Sequence, residues 1–310
     1  MYSSFYKLEC LGTFATMISL DPHKLSTAKL HGYLLGAVSP RPICFASTVD
    51  KEGKVNLSPF SFFNVFSANP PILVFSPARR GRDNTTKHTY ENILEVPEVT
   101  INIVNYSMVY QMSLSSTEYP KGVNEFTKAG FSQKDSELIK PPRVAEAPVQ
   151  LECKVNDVIT LGNEGGAGNL VICEVVKLHI DEGILDENES IDPFKIDTVS
   201  RLGGNWYSRA KDGLFEVEKP LQTLGVGVDK LPQAVRLSNV LTGNDLGKLG
   251  NVESFPNSDE INTFIEHSNK LQSLLAQKDE DGIHRFAKTF LDNGNVTAAM
   301  TVLLSSETQK

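Results

Sequence analysis

Short runs of apolar, β-branched and aromatic residues, each bounded by turn residues, recur through the first two thirds of the chain, and this pattern is typical of β-strands. The predicted strands are residues 41–49, 54–60, 71–77, 99–104, 149–161 and 169–180. Residues 50–54 form a predicted hairpin loop, and the glycine-rich residues 162–168 join the last two strands. Short strands linked by turns favour an antiparallel barrel over a doubly wound parallel sheet.

Helices are predicted between and after these strands. A short helix is expected after Asp21, which precedes a proline and suits a helix start. Residues 90–94 carry a narrow apolar stripe, and residues 107–131 predict several short helices. In the last third, residues 259–277 and 283–291 each place apolar side chains on one helical face.

Three segments are expected along the chain. Residues 1–16 show no clear period, so we expect an N-terminal extension there, with Met17 as a candidate for the true start. Residues 17–218 form the predicted main domain. Residues 219–310 form a predicted C-terminal extension that is mostly helical.

Composition excludes several classes of function. The 310 residues carry a formal charge of −8, which argues against a general nucleic-acid binder. Four scattered cysteines form no CxxC pair, and six histidines form no HxxxH or HxH pair, so neither a disulfide framework nor a metal site is predicted. No apolar stretch approaches the ~20 residues of a membrane span. We expect a cytoplasmic protein without a nucleic-acid or membrane partner.

Glycine-rich segments imitate nucleotide-binding loops but lack their defining residues. Residues 166–168 and 225–227 each lack the third glycine of a dinucleotide-binding turn. Residues 242–249 resemble a phosphate loop, but the segment is one residue short and has Leu249 where magnesium needs a hydroxyl. Hairpin turns and helix caps are the better explanation for these glycines.

Residues 58–64, Ser-Pro-Phe-Ser-Phe-Phe-Asn, allow two interpretations. The segment is predicted as an irregular loop, because Pro59 removes one backbone donor and frees neighbouring N–H groups. Such a loop could bind a flat ligand with polar edges, with amides for its heteroatoms and aromatic side chains for its face. A bulged edge strand with phenylalanines in the core is the more common structure for such a sequence.

A basic segment follows the strand at 71–77. Residues 78–89 contain Arg79, Arg80, Arg82, Lys87 and His88, together with threonines, and they lead directly into a helix. Cationic side chains, hydroxyl groups and a helix N-terminus together suit a phosphate group. A solvated charged loop is the alternative.

Residues 201–207, Arg-Leu-Gly-Gly-Asn-Trp-Tyr, hold the only tryptophan and could cover a ring, although a tight turn with a packed tryptophan explains them equally well. The predicted ring segment and phosphate segment flank the same strand. A ring joined to a phosphate is the chemistry of a mononucleotide-type cofactor.

Several motifs together resemble the flavin reductase-like proteins that have the FMN-binding split β-barrel. The motifs, in order, are 41–48, 55–64, 70–71, 87–93, 99–104, 140–146 and 201–204. The resemblance covers roughly residues 17–215 and implies a six-stranded antiparallel Greek-key barrel that forms a homodimer and binds FMN. Many relatives have aspartate at the position of His88, so the resemblance assigns no role to that residue.

The resemblance also implies which residues bind the cofactor. Arg82, Lys87 and Thr89 would hold the phosphate, while Tyr207 would lie near the open face of the flavin. The residues assigned to the flavin ring or its edge are Ser47, Thr48, Asn56, Ser58, Pro59, Phe60 and Ser61. No catalytic or metal-binding side chain is predicted, because the flavin itself performs the chemistry.

The function implied by the resemblance is an NAD(P)H-dependent FMN oxidoreductase, with NADH or NADPH as co-substrate and hydride transfer to flavin N5. A monooxygenase or another electron-acceptor protein is the expected partner. One alternative is an FMN-bearing electron carrier, resembling flavoredoxin, that is reduced by a partner protein. Another is a module that binds a ligand other than flavin.

Overall fold

The computed structural model describes residues 16–217, 220 and 224–306. The described residues form two compact units, Ser19–Phe215 and a second that contains those from Glu216 onward. The predicted boundary between residues 218 and 219 lies outside the described residues, as does the predicted N-terminal extension apart from Thr16. Both therefore stay predictions.

The first unit is built on strands. They are β1 (Cys44–Val49), β2 (Val55–Phe60), β3 (Phe63–Ala68), β4 (Pro71–Phe75), β5 (Glu98–Ile103), β6 (Gln133–Lys134), β7 (Arg143–Val144), β8 (Val149–Thr160), β9 (Asn169–Ile180), β10 (Val199–Arg201) and β11 (Tyr207–Arg209). Seven of them form one antiparallel sheet in the order β2-β1-β5-β8-β9-β4-β3. The pairs β6–β7 and β10–β11 form two small ribbons. The predicted mainly antiparallel β class is confirmed.

The count of six strands is wrong, because residues 58–64 are largely paired instead of forming an irregular loop, and the alternative of a bulged edge strand is closer to the structure. Residues 58–60 complete β2, and β3 begins at Phe63 and pairs with β4 through a bulge between Val65 and Ser67. Pro59 is tolerated because β2 is an edge strand that pairs only with β1. The main sheet therefore has seven strands.

Helices in the first unit connect and flank the strands. They are α1 (Thr27–Ala37), α2 (His88–Glu95), α3 (Val109–Leu114), α4 (Glu125–Ala129) and α5 (Pro193–Ile196). The predicted start at Asp21 is confirmed, since its side chain caps a 3₁₀ turn at Pro22–Lys24. Other 3₁₀ turns lie at Tyr106–Met108, Glu182–Ile184 and Ala210–Gly213.

Apolar clusters lie on both faces of the main sheet, because successive residues of a strand point to opposite sides. Phe45 and Leu57 belong to the cluster that packs against α3 and α4. Cys44 and Ala46 belong to the other cluster, which also contains Phe75. Helices α3 and α4 thus pack on one face of the sheet, and α2 packs on the other through Ile93.

The second unit is helical, as predicted. Its helices are α6 (Gln233–Arg236), α7 (Gly243–Gly250), α8 (Ser258–Glu266), α9 (Asn269–Gln277), α10 (Glu280–Asp292) and α11 (Val296–Leu304), with a 3₁₀ turn at Val228–Lys230. Thr242 and Asp245 form a capping box at the start of α7, which explains the segment that imitates a phosphate loop. A single apolar cluster that includes Leu249, Leu271 and Leu291 forms the core of this unit.

Candidate functional site

A small cavity of about 30 Å³ opens beside the N-terminal end of α2. Four residues that the sequence assigns to cofactor binding line it together, namely Asn56, Ser58, Lys87 and Thr89. The other lining residues are Arg80, His88, Ser115, Ser116, Thr117, Glu118, Tyr119 and Glu125. Strand β2, the basic segment, the start of α2 and the segment that follows α3 thus meet at one place.

Helix α2 begins at this cavity without a side-chain cap. Lys87 occupies the position before the helix, and its side chain makes no capping hydrogen bond. By contrast, Ser26 accepts a hydrogen bond from Lys29 N at the start of α1. The first N–H groups of a helix lack partners within it, and they carry partial positive charge. The start of α2 therefore suits an anion.

Two cations of the basic segment reinforce this preference. Arg80 and Lys87 both line the cavity. Burial, followed by the charge of Arg80, lowers the pKa of Lys87 below its ordinary value. An anion between the two would relieve this repulsion and raise the pKa of Lys87 again. Burial also lowers the pKa of His88, so this histidine is neutral at pH 7.

Buried hydrogen bonds fix the walls of the cavity. Asn56 Nδ2 donates to Thr89 Oγ1 at 2.8 Å, which joins β2 to α2. Leu57 N donates to Glu125 Oε2 at 2.9 Å, which joins β2 to α4. Burial raises the pKa of Glu125, and its backbone hydrogen bonds oppose that shift. These contacts hold the polar lining in place before any ligand binds.

The glycine-rich hairpin loop between β8 and β9 supports the basic segment. Arg79 N donates to Ala167 O at 2.8 Å, and Gly166 N donates to Arg79 O at 3.1 Å. A Cβ at Gly165 would lie 3.1 Å from Arg80 O, so only glycine allows this approach without a shift. The glycines predicted to form a hairpin turn also position the loop that carries Arg80.

Several other predicted ring contacts lie away from the cavity. Ser47 and Thr48 are fully buried and, as neighbours in β1, point to opposite faces of the sheet. Phe60 packs in the core, and the centroid of its ring lies 5.6 Å from the ring centroid of Phe75. The cavity lining includes neither Pro59 nor Ser61.

Two of these side chains make polar contacts of interest. Ser61 Oγ accepts a hydrogen bond from Arg41 Nε at 3.5 Å. Thr48 Oγ1 accepts one from Asn92 Nδ2 at 3.2 Å, which ties β1 to α2. Within the part of the chain that the structure describes, Ser47 Oγ is buried without a hydrogen-bond partner. The roles assigned to these residues stay predictions.

Arg82 and Tyr207 also lie outside the cavity. The side chain of Arg82 is 71% exposed and pairs with Asp83 and Glu118. Tyr207 lines a second cavity of about 400 Å³, together with Tyr106, Tyr110, Val109, Ser113, Val199, Arg201, Asn205, Ser208 and Arg209. No residue lines both cavities. In one chain, Tyr207 is therefore separate from the residues around Lys87.

The segment 115–119 and Glu125 are the lining residues that the sequence does not reveal. They come from beyond α3, far along the chain from the basic segment. The hydroxyl run Ser115-Ser116-Thr117 is the one sequence signal that could have indicated them, because hydroxyl groups suit phosphate oxygens.

The described residues contain neither a metal-binding cluster nor a membrane-spanning helix. No group of three or more histidine, cysteine or acidic residues is arranged to hold a metal ion. Across the same residues, no helix has the length and apolar character needed to cross a membrane.

Residues 36–195 match the family model described as the flavin reductase like domain. This span lies within the unit Ser19–Phe215 and contains the whole lining of the cavity. The chain belongs to this family. An uncharacterized relative from Aquifex aeolicus strain VF5 is 38% identical over 181 residues, covering 58% of this chain and 90% of the relative.

Two solved structures agree with the fold. Nitrilotriacetate monooxygenase component B from Bacillus cereus gives a TM-score of 0.61 at 30% identity, covering 65% of this chain and 99% of that chain. A protein of Shewanella frigidimarina NCIMB 400 with a split barrel domain gives a TM-score of 0.55 at 27% identity, covering 64% and 96%. The first unit is thus a flavin reductase-like split barrel. The helical unit has no counterpart in these two structures.

Proposed function

We propose that this chain is an FMN-binding oxidoreductase that uses NADH or NADPH as its electron donor. The observation that carries the proposal is the uncapped start of α2, where Lys87 and Arg80 line a polar cavity together with hydroxyl side chains. A phosphomonoester brings about −1.5 to −2 charge and several acceptor oxygens, which match these donors. Family membership adds independent support, because flavin reductases act on flavins.

The residues present fit the phosphate end of FMN. Lys87, Thr89 and the first N–H groups of α2 would hold the phosphate, with Arg80 adding charge at its side. Asn56 and Ser58 lie on β2 at the same cavity and would face the part of the ligand beyond the phosphate. Because the Asn56–Thr89 and Leu57–Glu125 hydrogen bonds fix these walls, little reorganisation is needed on binding.

Bound FMN would supply the redox chemistry, namely the acceptance of hydride from a nicotinamide donor. The protein's part is to bind and orient the flavin, so that the two rings meet at near-attack distance. No protein nucleophile or metal ion is required for this transfer. The prediction that no side chain acts as a nucleophile or general base therefore belongs to the same proposal.

Anaerobic stopped-flow mixing tests this function. Protein reconstituted with FMN should lose its visible flavin absorption when NADH or NADPH is added, faster than free FMN does under the same conditions. Reduction no faster than that of free FMN with both donors would contradict the proposed reaction. Tight FMN binding without such reduction would instead support an electron carrier that is reduced by a partner protein.

We propose that the electrons pass to a partner protein, either a monooxygenase or another electron acceptor. The Bacillus cereus structure is, by its description, one component of a monooxygenase. By this analogy, electrons that enter through the flavin site would serve a separate protein rather than a substrate of this chain.

A homodimer is also part of the proposal. Strand β3 is an edge of the main sheet, where Val65 and Phe66 are 64% and 68% exposed. Helix α1 has no buried residue, and its Tyr33 and Leu34 are exposed as well. Within the described residues, the outer edge of β3 has free backbone hydrogen-bonding groups beside exposed aromatic and aliphatic side chains, and exposing such a surface to water is unfavourable. A second copy of this chain would cover it.

Phe66→Glu should convert the dimer to a monomer, because it places a charge in the apolar contact. Analytical ultracentrifugation at matched concentrations measures the change. Phe194→Glu is the control, since Phe194 is similarly exposed (59%) but lies on α5, outside this surface. A wild-type chain that sediments as a monomer, or a Phe66→Glu variant that stays dimeric, would contradict this interface.

A further inference from the structure

Glu118 lies among the cations of the cavity. Its Oε1 atom accepts a hydrogen bond from Arg80 Nε at 3.1 Å and lies 4.0 Å from Lys87 Nζ. Its Oε2 atom accepts a hydrogen bond from Arg82 Nη2 at 2.8 Å. The pKa of Glu118 is lowered, first because of the hydrogen bond from Arg82. The carboxylate is therefore ionised at neutral pH and touches the same cations that suit a phosphate.

The charges around the cavity nearly cancel as a result. Arg80 and Lys87 are the cationic side chains of the lining, and Glu118 and Glu125 are its carboxylates. Glu125 accepts its hydrogen bond from Leu57 N on β2. Glu118 is the carboxylate that pairs with the cations, so it sets how much positive charge an incoming anion meets.

We propose that the Glu118 carboxylate competes with the phosphate of FMN for Arg80 and Lys87, which weakens FMN binding and keeps the flavin exchangeable. This inference rests on the proposed function, because it assumes that the ligand of the cavity carries a phosphate. In addition to the residues that hold the ligand, it assigns Glu118 a role in setting the affinity of the site for the phosphate.

The exposure of the side chains makes this competition feasible. The Glu118 side chain is 43% exposed, and its partners Arg82, Lys87 and Arg80 have side chains that are 71%, 32% and 15% exposed. The exposed pair with Arg82 contributes little, and Arg80 keeps its hydrogen bonds to Thr85 Oγ1 and Thr86 O when the carboxylate turns to solvent. A carboxylate that stayed in place would instead repel the phosphate directly. In either case, ionised Glu118 lowers the affinity of the site for FMN. It leaves the affinity for riboflavin, which lacks the phosphate, unchanged.

Glu118→Gln tests the proposal, since it removes the charge but keeps an oxygen that can accept from Arg80. FMN affinity should rise about fivefold to tenfold, while riboflavin affinity should stay within about twofold. Titration of flavin fluorescence measures both affinities on the full chain. Glu137→Gln is the matched control, because Glu137 is similarly exposed (52%), pairs with Lys177 and lies outside the cavity lining.

The possible results separate this inference from the proposed function. If the wild type binds FMN but Glu118→Gln binds it equally well or more weakly, the competition is contradicted and Glu118 positions the arginines instead. An equal gain for FMN and riboflavin, or the same gain in Glu137→Gln, also contradicts it. If the wild type binds neither flavin, the proposed function itself fails, and the inference fails with it.

Discussion

Lys87→Ala is expected to weaken FMN binding by about tenfold to a hundredfold and to leave riboflavin binding within about twofold. The reason is that Lys87 lines the cavity and lies at the uncapped start of α2, so its ammonium would contact the phosphate of FMN and not the flavin ring. Fluorescence titration with both flavins gives the ratio. Riboflavin serves as an internal control for loss of the fold.

Arg82→Ala is the matched control for this variant. The sequence assigns Arg82 to the phosphate together with Lys87, but its side chain is 71% exposed and does not line the cavity. We therefore expect a much smaller effect on FMN affinity than that of Lys87→Ala. An equal loss of FMN and riboflavin affinity in Lys87→Ala, or a larger loss in Arg82→Ala, would place the phosphate elsewhere.

Phe75→Ala should lower the free energy of unfolding of the barrel unit by about 3–5 kcal/mol. Phe75 is fully buried in β4 and packs against Phe60, at the end of the strand that carries Asn56 and Ser58. Removing the ring leaves a cavity in the apolar cluster that also contains Phe60 and, from α2, Ile93. Part of the FMN affinity should be lost as well, because β2 is then less firmly held.

Hydrogen–deuterium exchange mass spectrometry in increasing urea measures this loss, since peptides from β1 and β4 report on the barrel unit separately from the helical unit. Phe194→Ala is the control, because Phe194 is 59% exposed and its truncation should change stability by no more than about 0.5 kcal/mol. Equal protection of the β4 peptide in both variants would show that the Phe60–Phe75 contact does not support the sheet.

Much of the fold follows from local pattern. The strands at 149–160 and 169–180 are long and separated by glycines, so their pairing was predictable with nearly correct ends. The cap at Asp21 was predictable for a similarly local reason. Strand β3 was not among the six predicted strands, because the serines and asparagine around its phenylalanines resemble a loop, although a bulged edge strand was the alternative interpretation of this segment. Its pairing with β4 depends on tertiary packing, which overrides the loop-like composition of the segment.

The functional site was predictable only in part. Lys87, Thr89, Asn56 and Ser58 come from two segments with distinct chemistry, and the structure brings them together. Local sequence does not say which arginine of a basic loop faces inward. In the fold the hairpin loop at 162–168 fixes that choice.

The remaining lining residues lie too far along the chain for a local signal. Glu118 looks like an ordinary surface carboxylate in the sequence, and only the packing of the segment after α3 brings it to Arg80. The motif around Tyr207 predicts proximity to the flavin, whereas within one chain the residue lines a different cavity, so its role stays a prediction.

A crystal structure of this protein with FMN tests the central claim most directly. We expect the phosphate at the start of α2, within hydrogen-bond distance of Lys87 Nζ, with the flavin extending past Asn56 and Ser58. Density for the phosphate at another position, such as the cavity beside Tyr207, would contradict the account. Crystals that take up no FMN under conditions where the protein remains folded would contradict it as well.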